Sequence, residues 1–232
     1  MTTSQLTDAA ELYSNSITVD KLVPLNSRSR RSVLNKDFVA RLMVGKYKNT
    51  HKTVPIFKDA ISQHLYCKLL EKIRPTTIID LGTAFGGSSL WFQDMYPSAK
   101  VVSIDIEDFR NDKSKVDNID FLRLDLHDSE LVIKALSNYE HPWFVCEDCH
   151  VEPSSIMKIF KNVMKRNDYI VFEDTHPFNP EESGMSAESE KYECGNWSTI
   201  KLEKVETEMK KHPEFFIDTE IQDFYGYNGS TF

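Results

Sequence analysis

The chain has 232 residues, 40% apolar and 11% aromatic, which suits one packed domain with a modest extension and excludes wholesale disorder. Acidic side chains outnumber basic ones 36 to 28, for a formal charge of −8, which argues against a nucleic-acid binder working through a broad basic face. No apolar run nears the ~20 residues that cross a bilayer, Met1 to Asp8 lack the basic start and apolar centre of a signal peptide, and four cysteines make no disulfide scaffold. A cytoplasmic protein without a membrane partner is expected.

Residues 1–52 read as a polar extension with a short helix hinted at by Phe38, Leu42 and Met43. Its basic stretch, Ser27 to Ser32, is a solvated turn, or else an arm over the active site or a dimer contact. From Pro55 the pattern sharpens. Phe57, Ala60, Ile61, His64, Leu65 and Leu69 recur at helical spacing, and Arg74-Pro75 ends that helix. Strands are then predicted at Thr77–Leu81, Lys100–Ile104, Phe121–Leu124, Trp143–Cys146 and Tyr169–Phe172. Helices are predicted between them at Ser88–Met95, Ser129–Leu136 and from Pro153, with a stripe of Ile156, Ile159, Phe160, Val163 and Met164. Such alternation predicts an α/β fold around a mostly parallel sheet covered on both faces. Thr175 to Asn196 is polar and too long for an ordinary connection, so a mobile loop or lid is expected. A helix through Leu202, Val205 and Met209 follows, then a closing pair of strands at Phe215–Ile217 and Phe224–Tyr227.

Three of the eight glycines, Gly82, Gly86 and Gly87, fall in Ile79-Asp-Leu-Gly-Thr-Ala-Phe-Gly-Gly-Ser-Ser89, between a predicted strand and a predicted helix. Glycine there admits close backbone approach, and free N–H groups at the helix start favour oxygen-rich ligands. The next strand ends in Asp105, where an acid accepts hydrogen bonds from ribose hydroxyls. The spacing is neither G-x-G-x-x-G nor a P-loop. Asp80, two residues before the first glycine, suits an adenosyl ligand with a positive centre better than a pyrophosphate.

Asp80-x-Gly82-x-x-x-Gly86-Gly-Ser88 resembles motif I of class I S-adenosylmethionine-dependent methyltransferases. Its Gly-Gly-Ser form is similar to the cephalosporin hydroxylase/rhamnosyl O-methyltransferase family and, more distantly, to the macrocin O-methyltransferases. The likeness continues at Val171–Thr175, His212–Asp218 and Phe224–Tyr227, and so covers residues 53–232. It implies a Rossmann-like fold: a mostly parallel seven-stranded sheet with helices on both faces and an antiparallel C-terminal strand. It places Asp80, Gly82, Thr83, Gly86, Gly87 and Ser88 around the methionine part of the cofactor. Asp105 and Ile106 fall at the ribose, Asp125 and Leu126 near the adenine, and Glu147 beside the cofactor. It also makes a homodimer through N-terminal elements an expectation.

The fourth and fifth predicted strands run into Cys146-Glu-Asp-Cys-His150 and Glu173-Asp-Thr-His176. Adjacent parallel strands would bring these acids together, at a cost in energy unless a cation or protons neutralise them. Oxygen donors of this kind suit Mg²⁺, with Ca²⁺ or Mn²⁺ as alternatives. By the resemblance, Glu147, Glu173 and Asp174 are the metal ligands. Relatives carry Asp-x-Asp-His where this chain has Glu147-Asp-Cys-His150, so Asp148 stands as the rival ligand. His150 is the expected general base, or else an ordinary polar loop residue, as His176 also can be. Cys146-x-x-Cys149-His150 also fits a haem-attachment pattern, but Cys146 closes a buried strand; Cys67 and Cys194 stand apart, so zinc has no second pair.

The expected function is transfer of a methyl group from S-adenosylmethionine to a hydroxyl of a small molecule, assisted by a divalent metal. The alternatives are metal-independent N- or carboxyl-methyl transfer and a non-catalytic adenosyl-binding interaction protein.

Overall fold

Five runs of apolar and β-branched residues pair side by side in parallel, in the spatial order Ile119–Arg123, Lys100–Asp105, Thr77–Leu81, Trp143–Glu147 and Tyr169–Phe172. They are β4 (Thr77–Leu81), β5 (Lys100–Asp105), β6 (Ile119–Arg123), β7 (Trp143–Glu147) and β8 (Tyr169–Phe172). Every residue of β4 and of β7 is buried, as expected of central strands covered on both faces. The computed structural model describes residues 22–24, 49–58, 60–112, 115–175 and 194–218. It divides into a unit of residues 44–173, which holds this sheet, and a unit of residues 1–43 with 174–232.

Within the first unit, a short hairpin of β2 (Thr50–His51) and β3 (Val54–Pro55) precedes the helix α1 (Ala60–Ile73). The hairpin was not expected from the sequence. The buried face of α1 carries Ser62, Leu65, Tyr66, Leu69 and Leu70, whereas His64 is exposed and Phe57 lies before the helix. The expected stripe thus holds at Leu65 and Leu69 and fails at His64, and Tyr66, with its polar tip, had not been counted as core. Helix α2 (Gly87–Met95) follows β4, and α3 (Ser129–Leu136) follows β6. The side chain of Asp128 accepts the Leu131 amide at the start of α3. Helix α4 (Pro153–Phe160) opens with proline and buries Ile156, Met157, Ile159 and Phe160. It stops before Val163 and Met164, which are half-buried. Tyr66, Trp91, Phe92 and Phe144 form an edge-to-face cluster with ring centroids 5.2–6.3 Å apart that joins α1 and α2 to β7.

The second unit contributes α5 (Cys194–Met209) and an antiparallel pair of β1 (Leu22–Pro24) with β9 (Phe216–Asp218). The C-terminal strand expected near Phe215 thus exists, but its partner is β1. Among the described residues the main sheet has five strands, where seven were expected. The second strand of the expected closing pair, at Phe224–Tyr227, the basic stretch Ser27–Ser32, the helix at residues 38–43 and His176 lie outside the described residues. Most of the expected lid does too; at its far end the chain is already helical from Cys194. No helix among the described residues is long and apolar enough to cross a membrane.

Candidate functional site

The chain winds outward from β4 through β5 to β6, then crosses back to β7 and β8. The reversal lies between β4 and β7, and ligands of open parallel sheets bind beyond the carboxyl ends of the strands at such a point. The β4–α2 turn sits there. Gly82 adopts φ +81, and a Cβ on it would lie 2.2 Å from the backbone oxygen of Asp148. A Cβ on Gly87 would lie 2.1 Å from the backbone oxygen of Pro55. At these two positions the close approach is by the chain's own backbone, which locks the turn against the β7 terminus and the β3 hairpin. Gly86 stands at the N-terminal cap of α2.

Asp80 is buried in the middle of the sheet, opposite Ser103 of β5 and Cys146 of β7. Its Oδ2 accepts from Ser88 Oγ and Ser89 Oγ, both at 2.6 Å, and Ser89 Oγ lies 2.9 Å from the hydroxyls of Thr83 and Ser103. Its Oδ1 is buried and has no hydrogen-bond partner among the described residues. Burial raises the pKa of this carboxyl, opposed by Lys58 and the two serine hydroxyls. An orphaned buried carboxylate oxygen costs about 1–3 kcal/mol until something donates to it.

Asp105 ends β5, and its Oδ2 accepts the Ala84 amide at 2.9 Å, drawing the turn toward the second strand. Ala84 holds φ 47 to make this contact, a conformation that costs about 1–2 kcal/mol without glycine. Ile106 is exposed beside it. Asp125 is exposed beyond β6, where its Oδ1 accepts the backbone N–H of His127 and lies 2.8 Å from His127 Nδ1; this pairing lowers its pKa. Leu126 turns inward and is buried.

On the other side of the switch point, Glu147 and Glu173 are both fully buried, and the Glu173 amide donates to the Glu147 carbonyl at 2.8 Å. Glu147 Oε1 accepts the Cys149 amide at 3.1 Å and lies 3.0 Å from Cys149 Sγ. Glu173 Oε1 accepts from Lys58 Nζ, from the Tyr66 hydroxyl and, at 3.2 Å, from Cys146 Sγ. Lys58 Nζ also reaches Asp148 Oδ2 at 3.2 Å. Burial by itself pulls the Lys58 pKa down, but the surrounding carboxylates of Glu173, Asp148 and Asp80 help to outweigh it and hold the ammonium well above its ordinary range. Burial likewise raises the Tyr66 phenol and the Cys146 thiol, so both stay protonated donors at neutral pH.

The structure therefore brings Asp80, Gly82, Thr83, Ser88 and Asp105 together around one turn, and Glu147 next to Glu173. His150 is exposed on the segment after β7. Asp174 begins the other unit, with φ 54. Among the described residues no three His, Cys, Asp or Glu side chains are grouped to hold a metal ion. Lys58 was missed by the sequence reading. The acid cluster's need for a positive charge was the available signal, and the chain's own lysines were not considered for it.

An open parallel sheet reversing at β4/β7, a glycine turn anchored by a buried strand acid, and a second acid closing β5 define the class I methyltransferases. The Rhamnosyl O-methyltransferase/CmcI family matches residues 45–229, and the chain belongs to it. Among solved structures, CmcI described with SAH is 27% identical, covers 56% of this chain and 68% of its own, and has a TM-score of 0.50. CmcI described with Mg and SAM is 26% identical, covers 64% and 65%, and has a TM-score of 0.52. The apo form of CmcI gives 25%, 63%, 66% and 0.52. The match thus spans about two thirds of the CmcI chain. No curated protein matches this sequence.

Proposed function

We propose that the chain transfers a methyl group from S-adenosylmethionine to a hydroxyl of a small molecule, with residues 53–232 as the catalytic span and 1–52 as an extension. The observation that carries this reading is the buried Asp80 carboxylate beneath the glycine turn, with one oxygen committed to serines and the other unsatisfied. The ammonium end of the cofactor's amino-acid part is a fitting donor for it. S-adenosylmethionine, when bound, supplies a methyl group on a positively charged sulfur.

Around it, Gly82, Thr83, Gly86, Gly87 and Ser88 form the turn, and Asp105 and Ile106 face the ribose. Asp125 and Leu126 border the adenine, and Glu147 closes the side toward β7. Asp105 already holds the turn through Ala84, so a ribose meets a carboxylate fixed in place. His150, exposed to solvent, takes the acceptor hydroxyl's proton on its imidazole as the oxygen bonds to the methyl carbon. S-adenosylhomocysteine is the other product.

Glu147, Glu173 and Asp174 are the proposed metal ligands, with Asp148 as the alternative for β7. CmcI described with Mg and SAM supports a divalent ion at such a site. The oxygen donors fit Mg²⁺ in kind. A divalent ion, when bound, supplies positive charge next to the acceptor oxygen. The ammonium of Lys58 among these acids favours, as a second reading, metal-independent transfer at the same turn.

Calorimetric titration with S-adenosylmethionine and with S-adenosylhomocysteine tests the cofactor. Binding of both at micromolar concentration is expected, and no heat from either at millimolar concentration overturns the reading. Turnover of labelled S-adenosylmethionine with a metabolite extract, before and after exhaustive chelation, then separates the two readings.

A further inference from the structure

Asp80, Glu147 and Glu173 lie fully buried at adjoining strand ends, with Asp148 beside them. Unneutralised, so many carboxylates in a dry site would unfold it. Among the described residues, a lysine places a cation there. Lys58 is itself fully buried, and its Nζ donates to Glu173 and to Asp148, 115 and 90 residues further along the sequence. Its placement is built in. Gly87 lets the Pro55 carbonyl run against the first turn of α2. The Ile56 amide bonds the Asn49 carbonyl at 3.1 Å, and Asn49 Nδ2 donates to the Lys58 carbonyl at 2.8 Å. The Tyr66 ring lies 5.5 Å from Nζ, and its hydroxyl donates to the same Glu173 oxygen. A solvated lysine would need none of this.

We infer that Lys58 is the resident counter-ion of the acid cluster: its ammonium gathers Glu173 and Asp148 at the ends of β8 and β7 before any divalent ion arrives. A divalent ion then adds charge to an assembled site and does not build it. Lys58 is thus a positioning residue, and the inference rests on the metal reading above.

The test uses the full chain with Mn²⁺ or Mg²⁺ as the probe and thermal melting as the readout. In the wild type, EDTA is expected to lower the melting temperature only by the few degrees that a bound ion's own affinity contributes, and to leave S-adenosylhomocysteine affinity unchanged within twofold. In Lys58→Met the melting temperature should fall on the order of 10 °C, the effect of stranding a buried charge. Mn²⁺ at a hundredfold excess over its Kd should then recover roughly half of that fall. Lys58→Arg, which keeps the charge, should gain no more from Mn²⁺ than the wild type does. A purely structural lysine would give the same fall with and without Mn²⁺, which overturns the inference. A fall in the chelated wild type as large as that of Lys58→Met, or a loss of its cofactor affinity, overturns it equally, and this arm decides if the Met variant does not fold. Failure of S-adenosylhomocysteine to bind the wild type would refute the proposed function instead, and leaves the melting comparison readable.

Discussion

The two ends of the central sheet handle buried carboxylates in opposite ways. At the amino end, before β7 and β8, the Asp168 side chain is fully buried and the chain supplies partners to both of its oxygens. Its Oδ1 accepts the Trp143 amide at 2.7 Å, and its Oδ2 accepts the Lys165 amide at 2.6 Å and lies 2.7 Å from His141 Nδ1. His141 stacks on the Trp143 ring at 4.0 Å. At the carboxyl end, Asp80 keeps a buried oxygen without a hydrogen-bond partner, and Glu173 is held by a lysine that had to be buried with it. The same residue class is a fastening at one end and an open valence at the other. The difference lies in whether backbone amides or side-chain cations answer the charge.

The comparison breaks first at Asp168. Asp168→Ala leaves the part-buried Trp143 amide and His141 without their partner, at roughly 1 kcal/mol or more each, and the exposed Lys165 amide to water. A loss of about 2–3 kcal/mol is expected, or roughly 4–12 °C in melting temperature. At a temperature where the variant is folded, S-adenosylhomocysteine affinity should match the wild type. A selective loss of affinity would show that the two ends are not separate.

Asp80→Asn should do the reverse. The side chain keeps its shape while the desolvated charge disappears, so the melting temperature should hold or rise. Affinity for S-adenosylmethionine should fall about 10–100-fold, the value of about 1.4–2.8 kcal/mol from one charge-assisted contact. Titration calorimetry on the variant reads this directly. Unchanged affinity with a lower melting temperature would make Asp80 a second Asp168.

How much of this was visible in the sequence follows the same division. The five parallel strands were readable because strands buried on both faces are nearly continuous apolar runs, as in Thr77–Leu81 and Trp143–Cys146. The glycine turn was readable as a local pattern. What its glycines accommodate was not, because Pro55 and Asp148 reach Gly87 and Gly82 only through the fold. Helix α1 was found, but its expected stripe failed at His64 and missed Tyr66, where an amphipathic ring hid a core position. Lys58 was illegible for a stronger reason. A lone lysine in sequence carries the expectation of a solvated side chain, and the acids that reverse it lie in strands about 90 residues or more away. Local signals carried the elements; the charge balance of the site is a property of their assembly.

The smallest expected effect sharpens the comparison at the wet margin of the amino end. The Tyr139 hydroxyl donates to Asp120 Oδ2 at 2.9 Å, and Lys100 Nζ donates to Asp120 Oδ1 at 2.7 Å, with both Lys100 and Asp120 partly exposed. Burial and the Asp120 carboxylate push the Tyr139 phenol from 10.0 up to about 12. Because the folded value is the higher one, this tether contributes in full below pH 10 and is lost as pH rises through about 12. Tyr139→Phe removes a single hydrogen bond whose partners water can reach, so about 0.5–1 kcal/mol is expected, measured as a shift of a few degrees in melting at pH 8. The difference between variant and wild type should close as the pH approaches 12, and ultraviolet titration should show one late-ionising phenol fewer. A loss as large as that of Asp168→Ala would mean that carboxylates at this end fasten the sheet whether or not they are buried, and that burial is not what separates its two ends.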